Sequence, residues 1–185
     1  HFTDNGYHTM GGGKIYHGHA DDSGWDEVYC KANHKAGTWG EKEIRKEDLA
    51  LQAYGGMKRN GPVDLPDEAF HDTLTANMAI ERLERDYDKP WFLAVGFTKP
   101  HLSWIAPRKY FELYDPEKLE MPVVLDNDVA DTPHAAQFPS YRIETFTVDA
   151  EEGGARRMLH AYLATITYMD AQLGRVLDAF EKRDD

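Results

Sequence analysis

The stretch Lys89-Pro90-Trp91-Phe92-Leu93-Ala94-Val95-Gly96-Phe97-Thr98-Lys99-Pro100-His101 decides how the rest of this chain is read. Between its two prolines, Trp91 to Phe97 form an apolar run rich in aromatic and branched side chains. A run that short and that uniform predicts a strand buried on both faces, as in a parallel sheet. It ends at a cation and an imidazole, Lys99 and His101. In open α/β sheets the ligand crevice lies outside the carboxyl ends of the strands, so chemistry is sought there.

Working upstream, Pro66-Asp67 predicts a helix start, with Asp67 as N-cap and Glu68 at the positive end of the dipole. Ala69, Ala76, Ile80, Leu83 and Tyr87 then recur at near-helical spacing, which predicts one face packed on one core. Asp88-Lys89-Pro90 breaks the pattern. A helix followed by a buried strand is half of a βαβ unit, so the fold class is α/β with a mostly parallel sheet.

A second basic–histidine cluster sits near the start, at Gly13-Lys14-Ile15-Tyr16-His17. It follows a helix end, a glycine-permitted turn at Asn5-Gly6 and a short strand leading into Gly11-Gly12-Gly13. The glycines do not make a phosphate loop, because Ile15 stands where a Walker lysine needs Ser or Thr after it. Nor do they fit the dinucleotide fingerprint, whose last glycine is here Tyr16. Lys14 and His17, with Lys99 and His101, form two similar pairs at two strand ends. Each pair alone has a bland reading, as a snorkelling lysine and a histidine capping a carbonyl. Together they suggest a pocket that neutralises an oxyanion and moves a proton.

Downstream, Pro107 to Tyr114 predicts a short helix carrying Tyr110, Phe111 and Leu113. Leu159, Leu163, Ile166, Leu173, Leu177 and Phe180 step by threes and fours along a long helix, with Asp170 interrupting the apolar face as a carboxylate that must be paired. Two stretches lack periodicity. Residues 21–60 read as a surface excursion with a short helix around Glu41–Asp48, and residues 115–150 as an extended loop. Loops of that length usually carry function, here the shaping of specificity.

The chain's 41% hydrophobic content over 185 residues is that of a folded globule, one domain in size. Its net charge of -12 disfavours nucleic acid as the main partner. An anionic substrate would need local cations, and Lys14, Lys99, Arg108 and Lys109 are the candidates. The single cysteine, Cys30, excludes an intramolecular disulfide framework within these residues. With Lys31 and His34 beside it, Cys30 is weighed as a nucleophile, but an incidental thiol is the simpler account. His17-Gly18-His19 with Asp21 and Asp22 has ligand chemistry but no common zinc spacing. No apolar stretch is long enough to span a bilayer. A first residue His1 and a last helix running nearly to Asp185 lead to the expectation of an internal piece of a longer protein.

On these residues the chain resembles the sulfatase family of the alkaline-phosphatase-like superfamily, nearest to the iduronate-2-sulfatase-like subgroup. Asp4 to Met10 running into Gly13-Lys14-Ile15-Tyr16-His17 is similar to the family's segment around its sulfate-binding lysine and active-site histidine. Lys89 to His101 is similar to the strand and turn carrying its second catalytic histidine. Tyr162 to Leu177, with Tyr168, Asp170 and Gly174, is similar to the helix before a metal-binding strand. The resemblance implies one incomplete catalytic domain over residues 1–185, part of a sandwich whose central sheet is flanked by helices.

It also implies a mechanism. Lys14 would bind the sulfate and a hydrated formylglycine, and His17 would support the formylglycine hydroxyl and help eliminate sulfate. His101 would protonate the departing sugar oxygen. Lys99 would add positive charge near the sulfate or a substrate carboxylate. Ca²⁺ and formylglycine belong to the full-length parent and are bound by no residue of this chain. Cys30 follows the Lys14 segment, whereas the family's modified cysteine precedes it, and His34 stands where that motif needs arginine, so the nucleophile is not carried over. Ser103 replaces the subgroup's frequent proline after Leu102. The implied substrate is a sulfated, uronate-containing glycan, and the implied location is periplasmic, secreted or lysosomal. The chain by itself is expected to be inactive. Two other readings stay open. One is a phosphodiesterase or phosphonate hydrolase of the same superfamily. The other is a non-catalytic glycan-binding module stacking sugars on Trp25, Trp39 and Trp104.

Overall fold

A computed structural model describes residues 1–17, 22–31, 60–123, 130–133 and 153–184 of the chain. Three strands, β1 (His8–Gly13), β2 (Glu27–Lys31) and β4 (Trp91–Gly96), form a sheet in the order β2-β1-β4. Both pairings are parallel. β3 (Gly61–Val63) and β5 (Ile105–Pro107) make a second, two-stranded parallel sheet. The α-helices among the described residues are α1 (His71–Leu83), α2 (Arg108–Phe111) and α3 (Gly154–Phe180), and short 3-10 turns join the elements. The fold is α/β with parallel open sheets, as the sequence predicts.

The strand at Trp91–Gly96 is parallel as expected, yet every one of its residues is only half-buried. It is an edge strand of the sheet among the described residues. Its alternation sorts two environments. Trp91, Leu93 and Val95 pack with Met10, Tyr29, Ala76, Ala79 and Val176 on the face covered by α1 and α3. Phe92 points to the other face, between the rings of Phe2 at 4.2 Å and Trp25 at 5.9 Å.

Several expectations need correction. β2 lies inside the region expected to be an aperiodic excursion, and β1 runs through all three glycines rather than stopping before them. Gly12 needs its hydrogen because a Cβ there would overlap the Tyr29 ring. Asp67 does not cap α1. It sits in a 3-10 turn, Asp67–Ala69, and α1 starts after Phe70. Ala69 packs against a separate core around Phe70, Ile105 and Tyr168, so the predicted single helix face serves two cores. β3 precedes α1 but pairs with β5, so the βαβ partner of β4 is β1. Leu113 points outward at 65% exposure.

The α3 face is the clearest reversal. Its buried residues include Ala161, Ala164, Thr165, Tyr168, Gln172 and Val176, while Leu173, Leu177, Phe180 and Asp170 are exposed. Ala161 and Ala164 pack with Ile105 and Ala106 of β5 and Val176 with Ala76 and Ala79 of α1, while Leu159 and Leu163 stay half-buried. Asp170 therefore interrupts no buried face. The short helix expected around Glu41–Asp48 lies outside the described residues, as does most of the 115–150 loop. No helix among the described residues is long and apolar enough to cross a membrane.

Candidate active site

Both basic–histidine pairs leave the sheet at the same end, from the C-terminal ends of the neighbouring strands β1 and β4. Gly13 and Gly96 are register partners, and they allow an approach that side chains would prevent. Gly13 takes a φ of +73°, and a Cβ on it would overlap the Gly96 carbonyl. A Cβ on Gly96 would overlap the Lys14 carbonyl. The Lys14 amide donates to the Gly96 oxygen at 2.6 Å. The first residue of one pair is thus tied to the strand that carries the other pair.

On the β1 side, Lys14 Nζ donates to the Tyr16 carbonyl at 2.9 Å and to His17 Nδ1 at 3.2 Å. An ammonium has no lone pair to accept with, so Nδ1 is the acceptor and the imidazole proton sits on Nε2. His17 is exposed and Lys14 half-buried. Tyr16 takes a hydrogen bond from Trp25 Nε1 at 2.9 Å, which fastens this turn to the sheet face.

On the β4 side, residues 97–104 leave the strand without regular structure. The His101 amide donates to the Thr98 carbonyl at 2.9 Å and closes a turn. His101 is exposed, and its Nδ1 lies 2.7 Å from the Leu102 carbonyl. A carbonyl only accepts, so Nδ1 carries a hydrogen. The two rings thus differ at Nδ1, an acceptor in His17 and a donor in His101. Lys99 is 6% exposed and its ammonium donates to the Ser103 carbonyl at 2.5 Å, bracing the loop from within.

Two other expected cations are engaged elsewhere. Arg108 binds Asp64 at 2.6 Å, and Lys109 binds Asp67 at 2.8 Å. Trp25 stacks on Phe92 and Trp104 donates to the Pro100 carbonyl, so each indole is used by the fold, and Trp39 lies outside the described residues. Cys30 belongs to β2, but its side chain is outside the described set, as are residues 18–21 of the weighed metal motif and His34. Among the described residues no group of three or more His, Cys, Asp or Glu could hold a metal ion.

The sequence reading missed Asp72. Its carboxylate is 2% exposed and accepts the Thr98 and Lys99 amides, both at 2.8 Å. Burial raises its pKa against the pull of those two amides and of nearby Lys99 and His71. The only signal was an acidic residue in a first helical turn, which normally reads as a dipole partner.

Comparison with known proteins decides the family. A family model described as Sulfatase matches residues 1–185. The chain belongs to the sulfatase family. It is 31% identical to a "Sulfatase" of Formosa agariphila over 98% of this chain and 37% of that protein. It is 28% identical to the human iduronate 2-sulfatase, over 98% of this chain and 36% of that protein. It is 26% identical to a choline-sulfatase of Rhizobium meliloti, over 98% and 38%. The chain thus spans little more than a third of the length of these curated relatives.

Proposed function

We propose that the whole protein hydrolyses sulfate esters, with this chain supplying the lysine and the two histidines that handle the anion and its protons. The observation that carries the reading is the tie between the pairs. Lys14, in contact with His17, is hydrogen-bonded through its backbone to the strand that delivers His101. Family membership supports the reaction class.

In this reading Lys14 neutralises a sulfate oxygen, and His17 donates from Nε2 to the same anion. An oxygen nucleophile attacks sulfur and the bond between sulfur and the sugar oxygen breaks. The electron pair stays on the sugar oxygen, which as it departs takes the Nε2 proton of His101 in its imidazolium form, the Nδ1 hydrogen staying on the Leu102 carbonyl and the ring being left neutral. Lys99 adds a buried positive charge within the same loop. Fixed donors of this kind gain strength as water is excluded.

By the family resemblance the nucleophile is a hydrated formylglycine and the resident metal is Ca²⁺. Calcium takes oxygen ligands, whereas Lys14, His17, Lys99 and His101 offer nitrogen. These four side chains do not fit it. The substrate we favour is a sulfated, uronate-containing glycan, handled outside the cytoplasm in a periplasmic, secreted or lysosomal setting. The names of the relatives span iduronate and choline esters, so the reaction class has stronger support than the glycan.

The test is the full-length protein with His101→Ala, assayed on an aryl sulfate. The expected result is a kcat lower by about 10²- to 10⁴-fold with KM little changed. A wild-type protein with no turnover on any sulfate ester, or an unaltered kcat in the variant, would contradict the reading.

A further inference from the structure

The geometry assigns to Asp72 the role of a positioning residue that holds the His101 loop in its working shape. The inference rests on the reading of His101 as the proton donor. Asp72 is the second residue of α1, where a carboxylate ordinarily serves its own helix. Here α1 has no side-chain cap at Phe70, and both Asp72 oxygens reach across to another segment. Oδ1 takes the Thr98 amide and Oδ2 the Lys99 amide, each at 2.8 Å.

Those two amides lie at the point where β4 ends and the irregular loop begins. The Thr98 carbonyl then accepts from the His101 amide at 2.9 Å, and Lys99 closes the loop on the Ser103 carbonyl. Asp72 therefore grips the stem of the turn that presents His101. The backbone that carries the carboxylate is anchored by its neighbour. The next residue, Thr73, donates its amide to the Tyr168 hydroxyl at 3.0 Å, with its own hydroxyl 2.9 Å from the same oxygen. Tyr168 is fully buried in α3. A continuous path runs from the core of α3 through the start of α1 to the proton donor.

A buried carboxylate is costly unless it is hydrogen-bonded. One that merely stabilised the fold would, when changed, lower the amount of active protein without changing what that protein does best. One that positions a general acid has a distinct signature. Protonation of the leaving oxygen matters most when that oxygen leaves poorly, so misplacing His101 should penalise phenyl sulfate more than 4-nitrophenyl sulfate.

The experiment uses the full-length protein as wild type, His101→Ala and Asp72→Asn, with kcat/KM measured on both aryl sulfates. Asparagine keeps the shape but offers one acceptor oxygen instead of two. The expected result for D72N is a loss of about 10-fold or more on phenyl sulfate and about 3-fold or less on 4-nitrophenyl sulfate, a weaker copy of the H101A pattern. If D72N does not fold, Asp72→Ser, which removes atoms and cannot clash, is read in the same way. H101A selective between the two esters with D72N and D72S equal on both overturns the role of Asp72 alone. A wild type that turns over neither ester overturns the functional reading itself, and the Asp72 role with it.

Discussion

The two ends of the β1–β4 sheet are built on opposite principles. At the entry end, charge is matched side by side. His8 Nε2 lies 2.9 Å from Glu27, which also binds Arg82 at 3.2 Å and Arg85 at 3.1 Å. Asp26 accepts both the amide and the hydroxyl of Thr9. At the exit end, Lys14, His17 and His101 gather nitrogen groups around glycine-permitted turns, and a buried carboxylate, Asp72, is turned onto backbone. A stabilising end closes its charges on one another. At the exit end Lys14 Nζ donates to the Tyr16 carbonyl and His17 Nδ1, and Lys99 Nζ to the Ser103 carbonyl, so the ammonium groups sit on backbone and imidazole.

The largest expected effect separates these ends directly. Lys14→Ala in the full-length protein should lower kcat/KM on an aryl sulfate by about 10²- to 10³-fold. Its circular dichroism and melting temperature should stay near the wild-type values, because the ammonium is not part of a core. Glu27→Gln should do the reverse, costing about 1 kcal/mol of stability with little change in kcat/KM. If Glu27→Gln also abolished turnover, the division between the ends would fail.

Next in size is Gly96→Ala. Its Cβ would overlap the Lys14 carbonyl, so either strand end must move, at about 1–3 kcal/mol. Gly174→Ala, where nothing lies within 4 Å, should instead stabilise α3 by about 0.5–1 kcal/mol. Thermal melts of the two variants would check the pair. Tyr168→Phe should cost about 1–3 kcal/mol, because the buried Thr73 amide loses its acceptor.

The smallest effect is in acid. Hydrogen bonds from the Thr9 amide and hydroxyl lower the pKa of Asp26. Burial pushes Glu27 up, but His8, Arg82 and Arg85 outweigh it and the net direction is down. A lowered carboxylate contributes stability that is present above its unfolded pKa and lost as pH falls through the folded one. The entry end should therefore loosen below about pH 4. Asp72 has the opposite sign. Its raised pKa makes the ionised form costly at neutral pH, and protonation in acid relieves that cost. Hydrogen exchange of the Thr9 amide against the Thr98 amide, followed from pH 6 to pH 3, would show whether the entry end opens first.

What the sequence made legible follows from what local pattern can encode. The run Trp91 to Phe97 marked a strand, and both lysine–histidine pairs were placed at strand ends, because composition and breaks are local. β2 escaped notice because Glu27 to Lys31 is short and flanked by polar residues, and its strand character comes from pairing with β1. The buried side of α3 was misread because leucine spacing says which residues share a face, not which face a neighbour can approach. Ala161 and Ala164 are buried against Ile105 and Ala106 of β5. Asp72 was invisible for the same reason, since its partners at Thr98 and Lys99 are brought to it only by the fold.

The most direct test of the whole account is a crystal structure of the full-length protein grown with sulfate. The account predicts one tetrahedral anion within hydrogen-bond reach of both Lys14 Nζ and His17 Nε2, with His101 Nε2 facing it from the loop after β4. An anion bound elsewhere, or His101 turned to the far side of the sheet end, would contradict it.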